Sequence, residues 1–156
     1  HGLGRGPADG FFAEEIRTKR PRGERNNNPG NIRHGEPWQG LAPVQPDPNF
    51  CTFTRPFFGM RALCKTLISY QVRHGKNTIE AILFRWAPPI ENDTDAYVAH
   101  VAADLGVDPR APLDVAHDPA LLARLAKAII THENGRCIYS DAEILDGAQA
   151  AAGVSA

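Results

Sequence analysis

No sign of charge dominates this chain: 17 Lys and Arg against 18 Asp and Glu leave a formal net charge of −1. A bulk positive field that would recruit nucleic acid or an acidic membrane surface is therefore excluded, and no nucleic-acid partner is expected. Cysteine is scarce and odd in number. Cys51, Cys64 and Cys137 show neither CxxC spacing nor paired His ligands, so a zinc site is not expected, nor any other metal. One disulfide with a spare thiol and three buried thiols are the two readings of this set. No run of about eighteen apolar residues is present to span a membrane. Leader and lipidation motifs are missing too, as are a Gly-rich phosphate loop and a GxSxG elbow. No cofactor is expected. The chain starts His-Gly-Leu rather than Met, which fits a piece of a longer protein whose targeting signal lies elsewhere.

What is there is a 156-residue chain, 42% hydrophobic and 22% charged, suited to one globular domain with its own core. Its most distinctive stretch is Arg25-Asn26-Asn27-Asn28-Pro29-Gly30-Asn31-Ile32-Arg33. Asn pairs with nearby backbone and tolerates left-handed dihedrals, while Pro29-Gly30 marks a tight turn, with positive φ expected at Gly30. Such a loop concentrates neutral amide donors and acceptors, which suit a sugar, and Trp38 offers a plate for a pyranose ring. A turn that merely ties the fold is the competing reading. The basic cluster Arg17, Lys19, Arg20, Arg22, Arg25 and Arg33 reads first as a solvated face and second as a contact for an anionic wall polymer.

The periodicity divides the chain. Residues 1–24 read as a flexible N-terminal segment with a short helix over Phe11–Lys19, and 25–150 as a single domain. Turn residues crowd Asn26–Phe53, where short strands are expected at Ile32–His34 and Phe50–Phe53. After Pro56 the three- and four-residue steps of Met60, Leu63, Leu67 and Tyr70 predict a helix ending at Gly75. Thr78 caps a second helix, stopped by Pro88-Pro89, and Asp93 or Thr94 caps a third, closed by Gly106. Asp118-Pro119 opens a strongly apolar helix that Gly135 ends, and Ser140-Asp141 starts a short last one. The expected class is α+β, mainly α, with a small irregular β lobe.

The chemistry left is that of carboxylates. Glu133 closes the apolar helix ahead of Asn134-Gly135. A Glu is mildly unfavourable at a helix C-terminus, which favours a functional reading. Apolar surroundings would favour the neutral form that a general acid needs. Glu91, Asn92, Asp93 and Thr94 follow the stiff Trp86-Ala87-Pro88-Pro89 loop; Asp93 and Thr94 serve as caps, whereas Glu91 and Asn92 have no such explanation. Glu14, Glu15 and Glu24 rank below these.

Taken together, the Asn-rich stretch, Trp38-Gln39-Gly40, Phe50-x-x-Phe53, Gly59-Met60-Arg61-Ala62, Arg85 through Thr94 and His132-Glu133-Asn134-Gly135 resemble a family of bacteriophage virion-associated and type VI secretion-associated proteins, understood as lysozyme-like peptidoglycan hydrolases. The resemblance covers residues 25 to 147. It implies a muramidase that cuts the β-1,4 bond between N-acetylmuramic acid and N-acetylglucosamine, as a hydrolase or a lytic transglycosylase. Glu133 would be the general acid, with Glu91 or Asp93 acting on the developing charge or the water. Asn27, Asn28, Asn31, Trp38, Trp86, Asn92, Thr94 and Asn134 would bind the glycan. Implied partners are peptidoglycan and an immunity protein or a phage or secretion carrier. The protein would be a monomer delivered to the bacterial periplasm or cell wall. A looser similarity to flagellar-type glucosaminidases rests on Asn28-x-x-Asn31-Ile32, Trp38-x-Gly40, Phe50-x-x-Phe53 and Tyr70. There the catalytic Glu lies upstream of that stretch, so a downstream Glu133 implies a circularly permuted lysozyme-like domain. No permutation is needed if Glu14 or Glu15 ends the first helix. The alternative function is a non-catalytic cell-wall-binding or phage structural module.

Overall fold

A computed structural model describes residues 20–153. The expected Phe11–Lys19 helix, with Glu14 and Glu15, lies outside them. The described residues are mainly helical: α1 (Arg22–Arg25), α2 (Pro56–His74), α3 (Ile79–Trp86), α4 (Thr94–Leu105), α5 (Pro119–Asn134) and α6 (Asp141–Ala152). Local chemistry sets these bounds. Thr78, Asp93, Asp118 and Ser140 each accept a backbone N–H of the first turn, and Ser140 forms a reciprocal capping box with Glu143. Gly75, Gly106 and Gly135 end α2, α4 and α5 in the left-handed conformation. The last helix is longer than expected, at 12 residues. No helix among the described residues is long and apolar enough to cross a membrane.

The core is built around α5. Leu122, Leu125, Ile129 and Ile130 are fully enclosed by residues of α2, α3, α4 and α6. Burial of each such side chain stabilises by about 1.5–3 kcal/mol. The α2–α6 pair forms the most extensive helix contact. It closes tightly because Gly147 faces Met60: a Cβ at Gly147 would meet Met60 Cγ at 2.7 Å.

Residues between α1 and α2 form the small lobe. The strands expected at Ile32–His34 and Phe50–Phe53 are reduced to two single bridges, Arg33 with Phe50 and Leu41 with Phe53. Pro43, Pro46 and Pro48 lack the N–H that a ladder needs, and Gly35 and Gly40 turn the chain at φ 145° and 83°. Side-chain amides hold the lobe together with scattered backbone bonds such as Cys51 N–H to Ile32 O and Phe53 N–H to Asn26 O, each at 2.9 Å. Asn28, with no exposed surface, donates to Ile32 O at 3.0 Å and Cys51 O at 2.8 Å and accepts from Ile32 N at 2.9 Å. Asn27 donates to Phe53 O at 3.0 Å, and Asn26 to Asp47 Oδ2 at 3.0 Å. Ile32, Cys51, Phe53 and Ala62 form a second small core beside Trp38 and Phe58.

Two readings need correction. The positive φ expected at Gly30 falls instead on Asn27 and Asn31, both at 51°. Gly30 is small for another reason: a Cβ there would press on Leu63 Cδ1 at 3.0 Å. Residues 20–24, read as part of a flexible segment, are seated in the fold. The Glu24 side chain is 1% exposed and receives both Arg136 Nε at 2.8 Å and a terminal guanidinium nitrogen at 2.7 Å. Hydrogen bonding from Arg136, opposed by burial, holds the Glu24 carboxyl below its ordinary range.

Candidate active site

Glu133 occupies the last turn of α5, where the buried Ile129 and Ile130 immobilise the backbone. Its carboxyl is gripped from two sides. The Tyr97 hydroxyl on α4 donates to Oε2 at 2.8 Å, and Asn31 Nδ2 from the Asn loop donates to Oε1 at 3.2 Å. The apolar surroundings expected for this carboxyl are thus replaced by two polar donors. Tyr97 is 1% exposed, accepts Trp86 Nε1–H at 3.1 Å and stacks on His132 with ring centroids 3.6 Å apart. Burial, and then the neighbouring Glu133, push the Tyr97 phenol far above its ordinary range, so it keeps its proton and donates it to Glu133 while its oxygen accepts from Trp86. Burial, and then His100, hold His132 below the usual imidazole value. Its ring faces His100 across 3.2 Å between Nδ1 atoms.

Glu133 opens on a cleft of about 540 Å³, within the range of small-ligand sites. The Asn loop contributes Asn31 and Arg33, and α2 contributes Thr66 and Tyr70. Phe50 comes from the small lobe, and Trp86, Pro88, Glu91 and Asn92 come from α3 and the turn after it. Arg33 and Glu91 approach to 3.7 Å, but both side chains are roughly two-thirds exposed, at 63% and 65%, so their pairing adds little stability. The Arg33 guanidinium also lies 4.8 Å from the Phe50 ring centroid. A second cavity, of about 550 Å³, lies among α4, α5 and α6 with a lining that includes Leu105, Ala123 and Leu145. It holds none of the residues singled out from sequence.

The cleft thus brings together Glu133, Glu91, Asn31, Asn92 and Trp86. Asn92 also donates to Pro88 O at 3.2 Å, bracing its own turn. Six other residues read as site residues have structural duties. Asp93 caps α4 by accepting Ala96 N at 3.2 Å. Thr94 is buried and donates to the carbonyl of Ala87, which the end of α3 leaves free. Asn27 and Asn28 tie the small lobe through backbone carbonyls. Asn134, 9% exposed, donates to Pro29 O at 2.9 Å and Ile130 O at 3.0 Å. Trp38 packs in the small core rather than lining the cleft.

Sequence reasoning passed over Tyr97 and Thr66 as members of this site, took Arg33 only as one of a basic cluster, and took Tyr70 as part of an apolar stripe and of the looser glucosaminidase resemblance. One signal for Tyr97 was available: a Tyr on the apolar face of a helix needs a partner for its hydroxyl once buried.

No protein-family model matches the chain. Protein P5 of Pseudoalteromonas phage PM2 is 39% identical to it over 141 residues, which cover 88% of this chain and 85% of P5.

Proposed function

This chain belongs to the family of Protein P5 of Pseudoalteromonas phage PM2, and we propose that it is a lysozyme-like enzyme that cleaves the β-1,4 bond between N-acetylmuramic acid and N-acetylglucosamine in peptidoglycan. The observation that carries the reading is the seat of Glu133. A carboxyl held by Tyr97 and Asn31 faces an open cleft that also presents a second carboxylate, Glu91, an indole, Trp86, and the Asn92 amide. Glu133 protonates the glycosidic oxygen as the bond breaks. Glu91 acts on the positive charge that builds on the sugar ring, or on the attacking water. Asp93 is the weaker candidate for that role, because its carboxylate already serves the α4 N-terminus. Trp86 and Asn31 contact ring face and acetamido group. The juxtaposition of Asn31 and Glu133, 102 residues apart, also supports a permuted lysozyme-like arrangement, in which a helix downstream delivers the acid to the Asn loop.

Purified sacculi incubated with the protein, followed by mass spectrometry of the soluble fraction, test the reading. Reducing muramic ends are the expected products of a muramidase, and anhydromuramic ends those of a transglycosylase. Absence of fragments overturns cleavage and leaves a wall-binding or phage structural module. Glu133→Gln is expected to lower the rate by about 10²–10⁴ with little change in melting temperature. A variant retaining more than about a tenth of the wild-type rate removes Glu133 from the acid role.

A further inference from the structure

Charge is unevenly placed in the cleft beside Glu133. Among the described residues that line it, Arg33 is the one cation, set against two carboxylates, Glu133 and Glu91. Arg33 belongs to the basic cluster seen in the sequence, and it is the member that reaches the cleft. Arg20 instead lies 3.9 Å from Glu24, and Arg22 3.5 Å from Asp47. The small lobe holds the Arg33 guanidinium in place. Its Cζ lies 4.8 Å from the Phe50 ring centroid, and Arg22 Cζ lies 4.9 Å from the same ring. A guanidinium resting on an aromatic ring loses less freedom when it binds a ligand, because its plane is already set. Glu91 approaches it only to 3.7 Å. That is longer than the roughly 2.7–2.9 Å of a charge-assisted hydrogen bond, and both side chains are largely exposed. Glu91 is therefore a loose counter-ion, easily displaced.

We propose that Arg33 is the subsite for a carboxylate carried by the substrate, and that this carboxylate replaces Glu91 as the partner of the guanidinium. The ligand is a glycan that bears carboxylates on some of its sugars and none on the others. One cation among two carboxylates gives such a chain one favourable register. An acidic substituent is attracted beside Arg33, whereas beside Glu91 or an ionised Glu133 it is repelled. The incoming carboxylate can meet the guanidinium fork with two parallel hydrogen bonds, which Glu91 does not make at 3.7 Å. The exchange leaves Glu91 free to act on the sugar ring. Arg33 is thus a residue that sets specificity and register. The inference rests on the reading of the cleft as a peptidoglycan site. N-acetylmuramic acid there supplies the carboxylate, on its lactyl group or on the stem peptide attached to that group.

Calorimetric titration with soluble glycan strands tests the subsite apart from cleavage. Every protein carries Glu133→Gln, so that the strands stay intact. Two kinds of strand are used: strands stripped of their stem peptides, with free lactyl carboxylates, and strands that keep the peptides. Each is compared with the same strand after its carboxylates are converted to methylamides. In at least one kind the free carboxylate is expected to tighten binding by about tenfold, and which kind shows the effect identifies the source. Arg33→Gln should abolish that difference while leaving the methylamide strands bound as before. Glu91→Gln should tighten the carboxylate strands by about two- to fivefold, the range of an exposed pair, because their competitor is gone. A carboxylate effect that is missing in both kinds, or that survives Arg33→Gln, overturns the subsite. Weaker binding of carboxylate strands by Glu91→Gln overturns the exchange. Failure of the wider reading looks different. If no strand binds, the subsite and the peptidoglycan reading fall together. Carboxylate-dependent binding with no fragments released from sacculi by the unaltered protein keeps the subsite and dismisses cleavage.

Discussion

Tyr97 joins three parts of the molecule through one hydroxyl: Trp86 at the end of α3, α4 itself, and Glu133 at the end of α5. Tyr97→Phe keeps the ring stacked on His132 but removes the donor to Glu133 and the acceptor for the Trp86 indole. It is expected to cost about 1–3 kcal/mol of stability, because a half-buried N–H loses its partner. If Glu133 is the acid, kcat should fall by a larger factor than KM rises. Urea denaturation together with sacculus-clearing kinetics reads both; unchanged kcat would make Tyr97 a core residue with no bearing on the site. Glu133 itself was legible in the sequence, because a carboxylate at the negative end of an apolar helix is a local misfit. Tyr97 was not, since its role depends on how α4 is rotated against α5, which one helix's periodicity does not contain. The same limit explains the Asn loop. Its composition announces a rigid polar turn, yet which amide faces the cleft and which serves the backbone depends on where α2 and α5 approach it.

The helices divide their dependence on packing between two glycines of α2 and α6. At Gly59 an added Cβ would lie 2.2 Å from the backbone oxygen of Asn27, whereas at Gly147 it would meet the flexible Met60 side chain at 2.7 Å. Gly59→Ala is therefore expected to displace the Asn loop, costing about 1–3 kcal/mol and, if the proposed glycan cleavage holds, most of that activity. Gly147→Ala should cost about 1 kcal/mol with activity retained, since Met60 can turn aside. Comparing melting temperature and sacculus clearance for the two variants checks the distinction; equal behaviour would mean that the loop does not lean on α2. The capped helix ends from Thr78 to Ser140 were readable from sequence almost to the residue, whereas the Arg22–Arg25 turn and the full length of the last helix were not. Ser, Thr, Asp and Gly caps act over one turn and need nothing from the rest of the chain. The expected strands were not realised, because prolines and turning glycines between them leave only single bridges. What holds that lobe is side-chain amide bonding beside a few isolated backbone bonds, which has no periodic signature.

At the scale of the whole molecule, the pair Glu24 and Arg136 fastens the start of the fold to the segment after α5, across 112 residues. The carboxylate end is buried and the guanidinium end is 56% exposed. Arg136→Ala would remove both hydrogen bonds to the buried carboxylate and leave it only Arg20, whose Nε lies 3.9 Å away, so at neutral pH it should destabilise the fold. The sign of the pH dependence follows from the lowered Glu24 pKa. The folded value lies below the ordinary 4.5, so the pair's contribution is complete above that value and is lost as pH falls through the folded pKa. Denaturation at about pH 7 and about pH 3 should thus show a smaller mutant deficit at the second than at the first. An equal deficit at both would assign the loss to packing rather than to charge.

The two cores each contain an enclosed thiol. Cys51 belongs to the small lobe and Cys64, its thiol pushed up to about 12 by burial, to the helical body, while Cys137 is partly accessible and all three are unbridged. The molecule therefore carries its own opening clocks. In native buffer a thiol-specific reagent should consume Cys137 promptly, and then report, at Cys51 and Cys64 separately, how often the amide-tied lobe and the helical body expose their interiors. A Cys51 rate well above that of Cys64 would mean that the small lobe, one wall of the cleft, opens to solvent while the helices stay shut.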